Sequence, residues 1–164
     1  MENRKSVVVL VADDDPEDCM LIRDAFKEGL LVNGLRFVGD GEELMDYLRR
    51  RGKYKDHSAS PRPGIILLDL NMPKKDGREA LKEIKADPDL KSIPVVILTT
   101  SKVEEDILRS YNLGANSYIT KPVTFTGLVE AVRSLGKYWF EIVELPGGKR
   151  RTDGEETQDK GPSR

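Results

Sequence analysis

The sequence predicts an α/β fold, a doubly wound sheet of five parallel strands, and three observations predict it. Four short apolar runs rich in β-branched residues lie at residues 7–12, 65–70, 95–98 and 117–119, each followed by polar residues or proline. Strands buried on both faces read this way. Every gap between successive strands holds one segment with helical spacing. Strict strand-then-helix alternation leaves a parallel sheet covered by helices on both faces.

In chain order, residues 7–12 form the first strand, and Asp15-Pro16 places a capping acid before a proline suited to a first helical position. Cys19, Ile22 and Phe26 line one stripe of the first helix, which is expected to stop at Gly29. The turn Asn33-Gly34 leads into a weaker second strand at residues 35–38, and Leu44, Tyr47 and Leu48 mark the second helix. Residues 49–63 form a basic, proline-containing connection longer than most. It carries the only histidine, His57, which reads as a solvated loop residue because no second His or Cys lies at ligand spacing. The third strand covers residues 65–70, and Asp76-Gly77 opens a third helix with Ala80, Leu81 and Ile84 inward. After the fourth strand, a helix is expected to bury Ile107, Leu108 and Tyr111 and to stop at Gly114. The fifth strand at 117–119 is followed by a helix lined by Leu128, Val129, Val132 and Leu135.

One domain fits a chain of 164 residues, and its expected extent is residues 1–145, including a C-terminal extension at 136–145. Residues 146–164 carry glycine and charge without apolar periodicity and read as a disordered tail. The 27 basic and 29 acidic residues are well mixed and leave a formal net charge of −2. That balance supplies no bulk attraction to nucleic acid or to an anionic membrane, so neither is an expected partner. No segment reaches transmembrane length, and the apolar start is too short for a secretory signal. A single cysteine, Cys19, cannot form an internal disulfide and reads as a buried core residue, which suits a reducing, cytoplasmic compartment.

In an open parallel sheet the ligand site lies beyond the carboxyl ends of the strands. Those ends carry Asp13-Asp14-Asp15, Asp69 with Asn71, Thr99-Thr100-Ser101 and Thr120-Lys121-Pro122. An acid after a strand is often only a helix cap, and that reading suits Asp15. Agreement among four strand ends points instead to an acidic pocket with one lysine. Asp13, Asp14 and Asp69 would repel one another unless a cation sat among them, and a hard divalent ion such as Mg2+ suits oxygen ligands. Three carboxylates, one Mg2+ and Lys121 would sum to zero. A carboxylate is ionised at neutral pH, so Asp69 can attack phosphorus without a general base. It needs alignment and charge screening, which Lys121 and the metal can supply. A phosphoryl group would replace one charge by roughly two, and a hydroxyl donor should then move inward. Thr99 is the candidate donor and Tyr118 the residue to follow it, although either alone reads equally as packing. Together they would reshape the fourth helix, fifth strand and fifth helix.

The pattern Asp13-Asp14, Leu67-Leu68-Asp69-Leu70-Asn71-Met72-Pro73, Gly77, Thr99 and Lys121-Pro122 resembles the receiver domains of two-component response regulators, the CheY-like fold, over about residues 7–135. That resemblance implies strand order 2-1-3-4-5 and Asp69 as the phosphoacceptor. It also implies Mg2+ held by the carboxylates of Asp14 and Asp69 and the backbone carbonyl of Asn71, with Asp13 acting through water. Lys121 would bind the phosphoryl group, preceding a cis bond to Pro122, and Thr99 and Tyr118 would be the switch pair. Residues 71–79, 93–101 and 138–146 further resemble the response regulators paired with cyanobacterial and bacterial phytochromes, which are red-light-sensing histidine kinases. The implied phosphoryl donor is therefore a sensor histidine kinase of that type.

Trp139, Phe140, Ile142 and Val143 lie beyond the fifth helix, where one domain has little core left to bury them. A symmetric homodimer anchored by Trp139 is expected, against the alternative that the segment folds back on its own domain. Fewer than about 20 residues follow Leu145, too few for a further domain, so the receiver itself would be the output and no enzyme beyond its own phosphoryl transfer. Two other functions compete. A haloacid-dehalogenase-type phosphohydrolase needs a second acid two residues after its nucleophile, where this chain has Asn71. An unphosphorylated pseudo-receiver scaffold would have an eroded acidic pocket, and this one is intact.

Overall fold

Alternate residues of the three central strands feed two separate cores, because successive side chains of a strand point to opposite faces. The structure, a computed structural model, describes residues 8–27, 34–56, 58 and 60–135. Val9, Val11, Ile65, Leu67, Val96 and Leu98 pack on one face against Ile22 and Phe26 of the first helix and Leu128 of the last. Leu10, Ala12, Ile66, Leu68, Val95 and Ile97 pack on the other face against Leu44, Leu81, Ile84 and Leu108.

The elements follow the predicted alternation: β1 Val9–Ala12, α1 Pro16–Lys27, β2 Leu35–Val38, α2 Gly41–Arg49, β3 Ile65–Asp69, α3 Gly77–Ala86, β4 Val95–Thr99, α4 Lys102–Ser110, β5 Ser117–Thr120 and α5 Phe125–Leu135. All four strand pairings are parallel and the sheet order is β2-β1-β3-β4-β5, as expected. Every residue of β1, β3 and β4 is buried, which accounts for their uninterrupted apolar runs, whereas the edge strands β2 and β5 are only partly covered. The chain leaves β1 toward β2 on one side and, from β3 onward, builds toward β5 on the other. The resulting switch point opens a crevice between the carboxyl ends of β1 and β3.

The caps explain where the helices begin. Asp15 Oδ1 accepts the Glu17 N–H at 2.9 Å, and Asp76 Oδ1 accepts those of Arg78 and Glu79 at 2.9 and 3.1 Å. The described residues of the connection at 49–63 are tied to α2. They contain a 3-10 turn at Gly52–Tyr54, the Tyr47 hydroxyl donates to the Pro61 carbonyl at 2.8 Å, and the Tyr54 hydroxyl donates to Glu43 at 2.5 Å.

Several local expectations are corrected. Of the three residues expected inward along the fourth helix, only Leu108 is buried; Ile107 and Tyr111 are 51% and 64% exposed, because no described element packs over that side of the helix. Gly114 does not end α4, which stops at Ser110; the positive φ of 52° just beyond it belongs to Asn112. Cys19 is half-buried rather than fully enclosed. Gly29, Asn33, His57, the extension carrying Trp139, Phe140, Ile142 and Val143, and the tail at 146–164 lie outside the described residues. No helix among the described residues is long and apolar enough to cross a membrane.

Two glycines set the height of the β3–α3 loop above the sheet. A Cβ on Gly77 would lie 2.5 Å from Leu70 Cα and 2.7 Å from the Asp69 carbonyl oxygen, and one on Gly41 would lie 2.0 Å from the Lys75 carbonyl oxygen. Backbone atoms cannot step aside as a side chain could. Gly77→Ala should therefore destabilise the fold by about 1–3 kcal/mol, the cost of overpacking. Urea unfolding of the two proteins should show a lowered midpoint at an unchanged slope, and an unshifted midpoint would refute the close approach.

Candidate functional site

The strand register brings the predicted residues together. Ala12 pairs with Leu68, so Asp13 and Asp69 emerge side by side at the switch point, and Thr99 pairs with Thr120, one residue before Lys121. Asp13 and Asp69 are buried while Asp14 is exposed at the rim, and carboxylate oxygens of the three lie within 4.8 Å of one another. Lys121 reaches in from the loop after β5, with a cis bond to Pro122 and its own N–H donated to the Thr99 carbonyl at 2.7 Å. Its ammonium nitrogen stands 2.8 Å from Asp69 Oδ2 and 3.3 Å from Asp13 Oδ2. The other Asp69 oxygen accepts the Asn71 N–H at 2.9 Å, which fixes the carboxylate plane.

A fourth carboxylate, which the reading of strand ends did not anticipate, belongs to this group. Asp18, in the first turn of α1, accepts a hydrogen bond from the Lys121 ammonium at 2.5 Å. No local spacing marks it, because Asp14 precedes α1 and Asp18 meets Lys121 only through the tertiary fold. Its presence corrects the expected charge balance: four carboxylates, one lysine and one divalent ion leave the site at −1, not zero.

The surroundings answer that excess. Burial pushes Asp13 up to about 7; the Asp15 N–H and Lys121 hold it back, and Asp69 and Asp18 add to the rise. Burial opposes the charge on Lys121, yet the hydrogen bonds it donates to Asp18 and then to Asp69 outweigh that and hold the ammonium above its ordinary range. Cys19, beside the site, is pushed by burial up to about 11, which keeps it a thiol.

Asp13 Oδ2 is buried and accepts no hydrogen bond, although Lys121 is close; the approach lies outside hydrogen-bond geometry. An orphaned buried carboxylate oxygen within reach of two further carboxylates is what a hard divalent cation satisfies. The donor set therefore fits such an ion, with Asp13, Asp14 and Asp69 as the residues positioned to hold it.

The switch candidates sit beside this pocket but are engaged elsewhere. The fully buried Thr99 hydroxyl faces β5, 3.4 Å from both the Ile119 carbonyl and the Thr120 hydroxyl, rather than the carboxylates. The Thr120 hydroxyl in turn lies 3.5 Å from Glu105 Oε1, and Glu105 is a buried acid on α4. Arg109 donates to Glu105 at 2.8 Å and stacks its guanidinium 4.4 Å above the Tyr118 ring. Glu105 and Arg109 were not singled out from the sequence, although their i, i+4 spacing marks an ion pair.

Comparisons with known proteins converge on one family. A family model described as the response regulator receiver domain matches residues 9–133. The chain is 43% identical over 145 residues to the response regulator Rcp1 of Synechocystis sp., covering 88% of this chain and 97% of that protein. A solved structure of a Mn2+-bound form of Rcp1 is 44% identical, covers 85% of this chain and 99% of its own, and superposes with a TM-score of 0.65. The bacteriophytochrome response regulator RtBRR is 37% identical with a TM-score of 0.77, over 88% of this chain and 85% of that one. The phosphorylated cyanobacterial phytochrome response regulator RcpA is 43% identical with a TM-score of 0.67, over 83% and 95%.

Asp13 yields a pH-dependent prediction. Its ordinary value of 3.8 applies to the unfolded chain and about 7 to the folded one, so the folded state binds the proton more tightly. Its stabilising contribution is complete below the unfolded value and is lost as pH rises through about 7. In chelator, the protein should lose stability between about pH 5 and about pH 8 more steeply than Asp13→Asn does, and excess Mg2+ at the upper pH should restore it. Urea unfolding at both pH values checks this; parallel profiles for the two proteins would refute the buried-acid assignment.

Proposed function

The chain belongs to the response regulator receiver domain family, and from that membership we propose that it is a phosphoacceptor whose nucleophile is Asp69. The observation that carries the reading is the Lys121 ammonium 2.8 Å from a buried carboxylate flanked by two more acids. Asp69 is oriented by the Asn71 N–H and charge-screened by Lys121, which is the positioning that phosphoryl transfer demands. One Asp69 oxygen forms the new O–P bond while the P–N bond to a donor phosphohistidine breaks. The imidazole leaves with the bonding electron pair and takes up a proton. A bound divalent ion, Mg2+ in the cell, would neutralise charge that builds on the transferred oxygens; Asp13, Asp14 and Asp69, with the Asn71 carbonyl, would hold it. The Mn2+-bound state of Rcp1 supports that ion class.

The donor is a sensor histidine kinase of the phytochrome type, a reading supported by relatives described as cyanobacterial and bacterial phytochrome response regulators. Both sides of the exchange would be cytoplasmic. Once Asp69 is phosphorylated, Thr99 turns from β5 toward the new oxygens and Tyr118 follows, altering the face made by α4, β5 and α5. The chain signals through that changed face rather than by catalysis on another substrate. The haloacid-dehalogenase reading is disfavoured because Asn71 stands where its second acid belongs, and the pseudo-receiver reading because the acids and the lysine converge. Trp139, Phe140, Ile142 and Val143 are proposed to close a homodimer.

Incubation with acetyl phosphate and Mg2+ should add one phosphoryl mass to the intact protein and none to Asp69→Asn, as read by mass spectrometry. An adduct retained in Asp69→Asn would move the acceptor elsewhere. Sedimentation should give a dimer for the parent chain and a monomer for Trp139→Ala, and identical behaviour of the two would remove Trp139 from the interface.

A further inference from the structure

The Lys121 ammonium has three N–H donors and three carboxylates around it, yet it satisfies only two of them. One donor goes to Asp69 Oδ2 at 2.8 Å and one to Asp18 Oδ2 at 2.5 Å. Asp13 Oδ2, 3.3 Å away and buried, receives none. The oxygen left without a donor belongs to the cluster fitted to hold a cation; of the two that are served, Asp69 Oδ2 belongs to the same cluster and Asp18 Oδ2 to α1. Asp18 is not idle at the surface either, since its side chain is only 15% exposed.

We propose that Asp18 is a positioning residue of the phosphoacceptor site: its carboxylate draws the Lys121 ammonium toward α1, so that Asp13 Oδ2 stays free for the divalent cation. The inference rests on the reading of Asp13, Asp14 and Asp69 as the metal-holding group. Without Asp18 the acids left within ion-pair distance of the ammonium among the described residues are Asp69 and Asp13. A hydrogen bond from Lys121 to Asp13 would then place a positive charge where the cation has to sit, and cation and ammonium would compete. Asp18 thereby separates two positive charges that the same acids attract, and leaves the ammonium on a short tether beside the oxygen that is to receive phosphorus. The contact joins residues 103 positions apart, so it also ties the start of α1 to the loop after β5.

A double-mutant cycle on Mg2+ affinity separates this role from a plain loss of negative charge. Calorimetric titration of Mg2+ into the full chain should show about fivefold or more weaker binding for Asp18→Asn than for the parent. In a Lys121→Met background, which removes the competing ammonium and keeps the stem, the same substitution should cost at least about threefold less. Equal losses in both backgrounds, or no loss in either, would overturn the positioning role. If Lys121→Met does not fold, the 15N signal of the lysine ammonium in the metal-free chain decides instead: it should be sharp and exchange-protected in the parent and lost in Asp18→Asn, and an unchanged signal would overturn the role. A parent chain that binds no Mg2+ at all would instead defeat the metal-site reading.

Discussion

A single ammonium group holds together an arrangement that would otherwise push itself apart. Four carboxylates converge at the carboxyl end of the sheet, two of them buried, and Lys121 is the one cation among the described residues within ion-pair distance of Asp13, Asp18 and Asp69. Concentrating like charge costs stability, and a buried charge deprived of its partner costs about 3–5 kcal/mol. The fold accepts that cost because the parallel sheet gives no choice about where these residues meet: β1 and β3 are adjacent, in register, and end together. Function here is strain held by topology. The site is stable enough to exist and electrostatically incomplete enough to accept a cation and then a phosphoryl group.

The same residues lie at one end of a chain of contacts leading away from the sheet. Thr99 touches Thr120, Thr120 approaches Glu105, Glu105 binds Arg109, and Arg109 covers Tyr118. At 3.4 and 3.5 Å the hydroxyl contacts are long, so the Thr99 hydroxyl gives up little by turning away. The Arg109–Glu105 bond is short and charge-assisted, which makes α4 and β5 the firmer part of the relay. A local charge change can be transmitted most readily where a weak link meets a strong one. The exposed Val103 and Ile107 on α4, with Tyr111 just past its end, lie on the element that the proposed switch would move.

Most of the fold was legible because buried parallel strands must be apolar without interruption and helices between them must carry a stripe. Residues 65–70 and 95–98 could hardly be anything else. Ile107 and Tyr111 misled because helical spacing shows that two residues share a face, not that anything covers it. The tethering of residues 49–63 was equally hidden, since Tyr47, Tyr54 and Glu43 meet only when α2 and the loop fold together. At the site, residues following strands were legible because sheet topology dictates where strand ends gather. Asp18 was not, because it reaches the pocket from a helix, and its link to Lys121 depends on a rotamer and a tertiary approach that no local pattern encodes.

A structure of the chain bound to Mg2+ and beryllofluoride, a stable mimic of the phosphoryl group, tests the central arrangement most directly. The account predicts the adduct on an Asp69 oxygen, the ion among Asp13, Asp14 and Asp69, and the Lys121 ammonium swung from Asp18 onto a fluorine. An adduct on another residue, or an ammonium still held by Asp18 and out of reach of the mimic, would contradict it.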